Sequence, residues 1–128
     1  GAAYELTRAL ELSDGASVVS LASRAYLGNF GQFNYSASKG GLVGMTRALA
    51  LELAPRVRVN AIAPSLTASE MTRAMPEKVL EKMIASIPLG RMAEPEEIAE
   101  TIAALASPAA AYVTGQVLVA CGGRSLAP

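Results

Sequence analysis

The sequence contains no histidine and only one cysteine in its 128 residues. Without histidine, a zinc site of the usual kind and a Ser-His-Asp nucleophile are both excluded. The single cysteine, Cys121, has no partner in the chain and makes no internal disulfide. Acid-base chemistry near neutral pH must therefore use a tyrosine, a lysine or a carboxylate.

An excess of one charge and long apolar runs are also missing. The 11 Lys and Arg residues balance 11 Asp and Glu residues, so the chain lacks the basic footprint that nucleic acids require. Its apolar runs end within about ten residues, short of the roughly 20 that cross a bilayer, and no charged segment precedes an apolar leader. We expect no nucleic acid partner, no membrane partner and a cytoplasmic location.

A glycine-rich phosphate-binding turn is the third absence. The 11 glycines never fall at the spacing Gly-x-Gly-x-x-Gly or Gly-x-x-x-Gly-x-Gly, which lets a backbone approach a dinucleotide pyrophosphate. Asp14 is the only aspartate that could hold a ribose. These residues therefore contain no recognisable dinucleotide-binding turn.

The pattern that is present predicts an α/β unit. The hydrophobic content of 52% suffices for a core, and residues 1–128 show no linker or repeat, so we expect one unit. Helical periodicity and first-turn prolines predict helices, and short β-branched runs predict buried strands. The predicted helices are 2–12, 35–54, 76–87 and 95–107, and the predicted strands are 16–22, 56–63 and 115–120. Strand, helix and strand in this order form the βαβ unit that joins parallel strands.

About three parallel strands are few for a sheet of this kind. A parallel sheet is normally covered on both faces and contains more strands. The chain is therefore interpreted as part of a larger sheet.

Tyr35 and Lys39 form the first candidate site. They lie four positions apart at the start of helix 35–54, so both side chains occupy one face. A neighbouring ammonium favours the phenolate, which lets a tyrosine exchange a proton at working pH. Ser23 follows the first strand at its carboxyl end, where its hydroxyl could hold a carbonyl oxygen. The alternative is a solvated lysine beside a packed tyrosine, a pair that often arises by chance.

The surrounding residues decide between these alternatives. The chain reads VVSLAS at 18–23, GNFGQFNYSASKGGL at 28–42, LALELAPRVRVNAIAP at 49–64, PLGR at 88–91, EPEEIA at 94–99 and YVTGQVLV at 112–119. Together these segments closely resemble the short-chain dehydrogenase/reductase family over nearly the whole chain. The resemblance implies a partial Rossmann-like, doubly wound parallel sheet that lacks its N-terminal half.

The resemblance also implies roles for the candidate site residues. In the family a serine polarises the substrate carbonyl, a tyrosine is the acid or base, and a lysine assists the tyrosine and contacts the nicotinamide ribose of NAD or NADP. These roles fall to Ser23, Tyr35 and Lys39. The family's serine commonly stands one residue earlier, at Ala22 here, and a one-residue deletion in the loop accounts for this. Ser20 is the competing serine.

Four residues after the second strand are candidates for contacts with the nicotinamide carboxamide. The family usually has Pro-Gly at this point, and the chain has Pro64 and Ser65, followed by Thr67 and Ser69. Ser65 would add strain if its backbone required a positive φ. The alternative is that these residues form a helix N-cap.

Two further departures concern sulfur-containing residues. Cys121 stands where the family usually has aspartate, and we expect a packed thiol with nothing nearby to lower its pKa. Four methionines, Met71, Met75, Met83 and Met92, fall in the segment that forms the family's substrate lid. The alternative is that Val79, Leu80, Met83 and Ile84 are the buried stripe of one helix.

Two functions remain open at this stage. The first is an NAD(P)(H)-dependent oxidoreductase acting on a small carbonyl or acyl substrate, most like the 3-oxoacyl-acyl carrier protein reductases by the segment GQFNY at 31–35. The second is a non-catalytic assembly module that has lost cofactor binding. In either case we expect a homo-oligomer or a complex with a complementing N-terminal half.

Overall fold

The computed structural model describes residues 12–127. Three strands, β1 (Ala16–Leu21), β2 (Val57–Pro64) and β3 (Val117–Ala120), alternate with four α-helices. The helices are α1 (Phe33–Leu53), α2 (Glu70–Arg73), α3 (Glu77–Ala85) and α4 (Pro95–Ala106), and short 3-10 helices cover Arg24–Leu27, Pro108–Ala110 and Arg124–Leu126. The predicted helix 2–12 lies outside the described residues except for Leu12.

The sheet is parallel with the order β1-β2-β3, which confirms the predicted α/β fold. Val18 pairs with Val59 in the first ladder, and Ile62 pairs with Leu118 in the second. β2 lies at the centre, and its Val, Ile and Ala residues are at most 2% exposed because neighbouring strands and helices cover it. Among the described residues β1 pairs only with β2, and Leu21 at its end is 53% exposed.

The crossover helix α1 packs against β2. Val43, Thr46, Leu49 and Ala50 form its buried face. Thr46 is fully buried, and its hydroxyl donates to the Leu42 carbonyl at 2.8 Å, so its polar atom is satisfied inside the helix. Because α1 runs back along the strands, its first turn lies near their carboxyl ends.

Two polar side chains of β2 bind the C-terminal end of α4 and the segment that leads into β3. Asn60 is fully buried; its amide donates to the Val113 carbonyl at 2.9 Å, and its carbonyl accepts from the Gln116 amide at 3.0 Å. Arg58 donates to the carbonyls of Leu105 at 2.9 Å and Ser107 at 3.2 Å, at the C-terminal end of α4. A cation at this end satisfies carbonyls that have no partner within the helix.

Element boundaries differ from the predictions by a few residues, as is usual at helix and strand ends. The helix predicted over 76–87 is Glu77–Ala85, and the strand predicted over 115–120 is Val117–Ala120. No helix within residues 12–127 is long and apolar enough to cross a membrane.

Candidate active site

A cavity of about 280 Å³ opens at the carboxyl ends of the three strands. Residues that follow each strand meet there with the first turn of α1 and one side chain of α3. The lining consists of Ser23, Arg24, Ala25, Asn29, Gln32, Tyr35, Ser65, Leu66, Met83 and Arg124. Crevices at this edge are where open α/β sheets bind ligands.

Tyr35 reaches this cavity from the first turn of α1. The helix begins at Phe33, directly after Gln32 as the N-cap, and its first turn contains no acidic residue. The Tyr35 residue is 46% exposed. The unpaired amides and the positive end of the helix dipole favour an anion at this position.

Lys39 lies one turn further along α1. Its Nζ atom is 5.7 Å from the centroid of the Tyr35 ring and donates to the Leu21 carbonyl at 3.2 Å. The hydrogen bond ties the helix to the end of β1 and holds the ammonium beside the phenol. The spacing therefore predicted the proximity correctly, and the catalytic roles stay predictions.

Ser23 is the candidate serine that lines the cavity. Its hydroxyl accepts from the Ala25 amide at 3.2 Å as the N-cap of the helix Arg24–Leu27. A serine hydroxyl that accepts one bond still has its own O–H to donate. Ser23 can thus donate to a carbonyl oxygen in the cavity.

Ala22 and Ser20, the two alternative positions for the family's serine, do not line the cavity. Ala22 is 3% exposed, and its amide donates to the Ile62 carbonyl at 2.8 Å, so it continues the ladder beyond β1. Ala22 packs in a buried cluster with Val43 of α1. Strand alternation puts Ser20 on the same face as Ala22, beneath α1 and outside the cavity lining.

Ser65 lines the cavity, and its backbone is not strained. No non-glycine residue within 12–127 has a positive φ, so the strain considered for Ser65 is absent. Its amide donates to the Ala120 carbonyl at 3.1 Å, which joins the ends of β2 and β3.

The other three candidates for carboxamide contacts lie outside this lining. Pro64 is the last residue of β2, and the Thr67 hydroxyl donates to the Ser65 carbonyl at 3.2 Å. Ser69 forms a capping box with Thr72 at the start of α2, which confirms the N-cap alternative for this residue. Contacts from Pro64, Thr67 and Ser69 to a cofactor stay predictions.

The expectation that nothing lowers the pKa of Cys121 is wrong. Burial raises the pKa of this thiol, but the Ser125 hydroxyl and the amides of Ser125, Gly123 and Arg124 form hydrogen bonds that outweigh burial and hold the pKa below its usual value. The Ser125 amide donates to Sγ at 3.4 Å. The physical reason is the tight turn after Gly122, which directs several donors at one sulfur atom.

A second cavity of about 250 Å³ lies between Cys121 and the start of α4. At its rim Arg91 forms a bidentate ion pair with Glu97, with N–O distances of 2.8 and 2.6 Å. These bonds from Arg91, followed by the Glu94 amide, lower the pKa of Glu97 to about 2. The described residues contain no group of three potential metal ligands among His, Cys, Asp and Glu.

The methionine segment is less buried than a core helix would be. No residue of α3 is fully buried; Leu80, Met83 and Ile84 are half-buried and Val79 is 47% exposed, so the alternative of a buried stripe holds only in part. Met83 lines the first cavity, and Met92 lines the second. The segment therefore borders both cavities rather than filling a core.

Sequence reasoning missed several lining residues. Arg24 and Arg124 bring positive charge to the cavity, and Asn29 and Gln32 bring amides. Arg24 could have been found in the sequence because it directly follows Ser23. For Arg124 the only indication in the sequence was the pair of glycines before it.

Fold and site together define an α/β protein with a Ser, Tyr and Lys constellation at the carboxyl edge of a parallel sheet. The profile of a family described as enoyl-(acyl carrier protein) reductase matches residues 2–125. The 3-oxoacyl-[acyl-carrier-protein] reductase FabG of Thermotoga maritima is 53% identical over 97 residues, which are 75% of this chain and 39% of that protein. The (2S)-[(R)-hydroxy(phenyl)methyl]succinyl-CoA dehydrogenase subunit BbsD of Thauera aromatica is 48% identical over 110 residues, 85% of this chain and 44% of that protein.

A solved structure gives the same result. The short-chain dehydrogenase/reductase of Brucella melitensis, described as a glucose/ribitol dehydrogenase, superposes with a TM-score of 0.88 at 42% identity, over 96% of this chain and 51% of that chain. The chain belongs to the short-chain dehydrogenase/reductase family. It spans about half the length of that protein and less of the two curated relatives.

Proposed function

We propose that this chain is the catalytic and substrate-binding part of an NAD(P)(H)-dependent oxidoreductase that interconverts a carbonyl and a secondary alcohol. The observation that carries the proposal is the convergence of Ser23 and Tyr35 on one cavity, with the Lys39 ammonium 5.7 Å from the Tyr35 ring. A hydroxyl donor, a proton donor and a cation are the groups that carbonyl reduction needs beside a hydride source.

In reduction, the Ser23 hydroxyl donates to the substrate carbonyl and holds it against Tyr35. The Tyr35 phenol gives its proton to the carbonyl oxygen as that oxygen gains negative charge. Lys39 and the first turn of α1 stabilise the phenolate that remains. In oxidation the same phenolate removes the proton from the alcohol.

The described residues fit the nicotinamide end of the cofactor. The Lys39 ammonium has three donors and uses one on Leu21, so two remain for ribose hydroxyls. Ser65 lines the same cavity as Tyr35 and would face the carboxamide, with further contacts proposed for Pro64, Thr67 and Ser69. The bound cofactor supplies or accepts the hydride. The pyrophosphate end needs a glycine-rich turn that these residues do not contain.

A 3-oxoacyl thioester is the substrate class that we favour. The Thermotoga maritima relative is a 3-oxoacyl-[acyl-carrier-protein] reductase, and a 50% identical relative from Rhizobium meliloti is an acetoacetyl-CoA reductase. Both names describe a substrate whose reacting carbonyl lies two bonds from the thioester carbon. In this chain the half-buried Met83 lines the cavity, and a methionine can repack around different acyl chains.

The proposal also includes a pairing surface at the outer edge of β1. The outer edge of β1 has no strand beside it within the described residues, and an unpaired parallel edge favours pairing with another chain. We therefore propose a homo-oligomer or a complex with a complementing dinucleotide-binding half.

The test is a chimera in which the part of the Thermotoga maritima reductase that precedes the matched region is joined to this chain. NADPH and NADH oxidation is followed with acetoacetyl-CoA. We expect Tyr35→Phe to lower turnover about 100 to 10,000-fold, because only the proton donor is lost. Tyr112→Phe is the control, since Tyr112 is fully exposed. Turnover of the Tyr35→Phe chimera within a few-fold of the parent would assign the proton to another group.

An assembly module is the second candidate. Phe33 and Leu51 on α1 are 83% and 84% exposed, and such apolar side chains suit a protein interface. This candidate predicts a stable complex without turnover in the chimera, whereas the enzyme predicts Tyr35-dependent turnover.

A further inference from the structure

The cavity beside Tyr35 carries positive charge that the proposed reaction does not use. Arg24, which follows β1, and Arg124, which follows β3, both line it, and the lining contains no aspartate or glutamate. The ion pairs within residues 12–127 are Arg56 with Asp14 and Arg91 with Glu97, so neither lining arginine is neutralised by a described carboxylate. Two unneutralised guanidinium groups in a concave site attract an anion.

Arg124 is held in place by local structure. Gly122 and Gly123 both have a positive φ, and a Cβ atom on Gly122 would lie 2.7 Å from the Ile87 side chain. The chain therefore turns tightly against residues 87–88 and brings Arg124 to Ser86, where Nε donates to Oγ at 2.6 Å. With Nε occupied, the terminal nitrogens of the guanidinium remain as donors for a ligand.

Arg24 follows Ser23 directly and begins the 3-10 helix that Ser23 caps. Its guanidinium makes no hydrogen bond or ion pair to the described residues. A planar guanidinium presents paired donors that match the two oxygens of a carboxylate. Ser23, which is placed to hold the carbonyl, and Arg24 line the same cavity, so one ligand could contact both groups.

We propose that this site selects a carbonyl substrate with a carboxylate group, and that Arg24 and Arg124 are its specificity-determining residues. The inference rests on the proposed function, because it assumes that the substrate carbonyl lies at Ser23 and Tyr35. It narrows the favoured substrate class from 3-oxoacyl thioesters in general to those that carry, in addition to the thioester, a free carboxylate near the reacting carbonyl.

The test measures binding to the purified 128-residue chain without cofactor, by chemical-shift titration at low ionic strength. The probes are 4-oxopentanoate, its neutral isostere 4-oxopentanamide, and pentanoate, which lacks the ketone. We expect the oxo acid to bind roughly tenfold more tightly than the amide, the amount that one or two charge-assisted hydrogen bonds supply. It should also bind more tightly than pentanoate.

Variants identify the arginines. Arg24→Gln and Arg124→Gln should each reduce the preference for the oxo acid over the amide, and the double variant should abolish it. Arg47→Gln is the matched control: it removes the same charge from α1, twelve residues or about 18 Å along the helix from Tyr35. Arg124→Lys restores the charge if the Gln variant loses its fold.

Three results would overturn the inference: equal binding of acid and amide, equal binding of pentanoate and the oxo acid, or an Arg47→Gln effect as large as that of Arg24→Gln. Tighter binding of inorganic phosphate than of the oxo acid would also overturn it, because the arginines would then serve a phosphate group. If the binding test fails, the Tyr35-dependent turnover of the chimera is unaffected. If that turnover is absent, the binding test can still succeed. The two proposals are therefore tested separately.

Discussion

Lys39 shows how one side chain can support a site in two ways. Its ammonium donates to the Leu21 carbonyl at the end of β1 and lies 5.7 Å from the Tyr35 ring centroid. The hydrogen bond fixes where the charge lies, and we propose that this charge stabilises the negative oxygen that forms when Tyr35 gives its proton to the substrate.

In the chimera, Lys39→Met should lower turnover and weaken cofactor binding, because the ammonium no longer stabilises the negative oxygen left on Tyr35 after proton transfer or donates to the ribose. Turnover measurements together with cofactor affinities check both effects. Lys39→Arg keeps the charge and should recover part of the activity. Unchanged turnover together with unchanged cofactor affinity would return Lys39 to the role of a solvated lysine.

The sequence predicted individual site residues only where local spacing determines position. Tyr35 and Lys39 are one helical turn apart, so their proximity follows from helix geometry. Arg124 reaches the same cavity from the end of β3, which depends on how the chain turns against residues 87–88. Local spacing carries no information about such a contact.

Among the elements, β2 and α1 were the most predictable. An apolar run between prolines can form a buried strand, and β2 is buried along most of its length. Along α1 the apolar residues Leu42, Met45, Leu49 and Leu53 recur at helical spacing, whereas the fully buried residues are Val43, Thr46, Leu49 and Ala50. The difference arises because Thr46 satisfies its hydroxyl within the helix and can face the sheet, which a hydrophobic pattern does not reveal.

The start of α4 combines a capping box and an ion pair at one carboxylate. Glu97 accepts from the Glu94 amide at 2.8 Å and pairs with Arg91, and Pro95 stands in the first turn. These contacts hold the folded-state pKa of Glu97 at about 2, against an ordinary value of 4.5. A depressed carboxyl pKa stabilises the fold above the unfolded-state value, and this contribution disappears as the pH falls through the folded-state value.

Glu97→Gln should therefore weaken the fall in stability between pH 4.5 and about 2, because the variant has no carboxylate to protonate there. Glutamine can still cap the helix, so the substitution removes mainly the charge. Urea unfolding at a series of pH values measures the difference. Glu96→Gln, in the same first turn, is the control. An identical acid dependence in the two variants would show that the Arg91 pair contributes no pH-dependent stability.

At the scale of the whole molecule, one explanation covers two features of the described residues: the unpaired edge of β1 and the absence of a phosphate-binding turn. Leu21 at that edge is 53% exposed, and the relatives extend well beyond the matched region. In an α/β sheet of this kind, the first strand and the turn after it hold the pyrophosphate at a helix N-terminus. A neighbouring chain or segment at β1 would supply both the pairing and the cofactor site.

The purified 128-residue chain should neither bind NAD(P)H measurably nor reduce a carbonyl by itself, and it should self-associate, because the phosphate site is missing and the β1 edge is apolar. Titration with NADPH and with NADH, followed by cofactor fluorescence, measures the first expectation, and light scattering measures the second. The chimera with the Thermotoga maritima segment is the positive control for cofactor binding. A monomer that binds either cofactor at micromolar concentration would contradict the prediction. The dinucleotide site would then have to be formed by residues that the structure places in the core or at the two cavities.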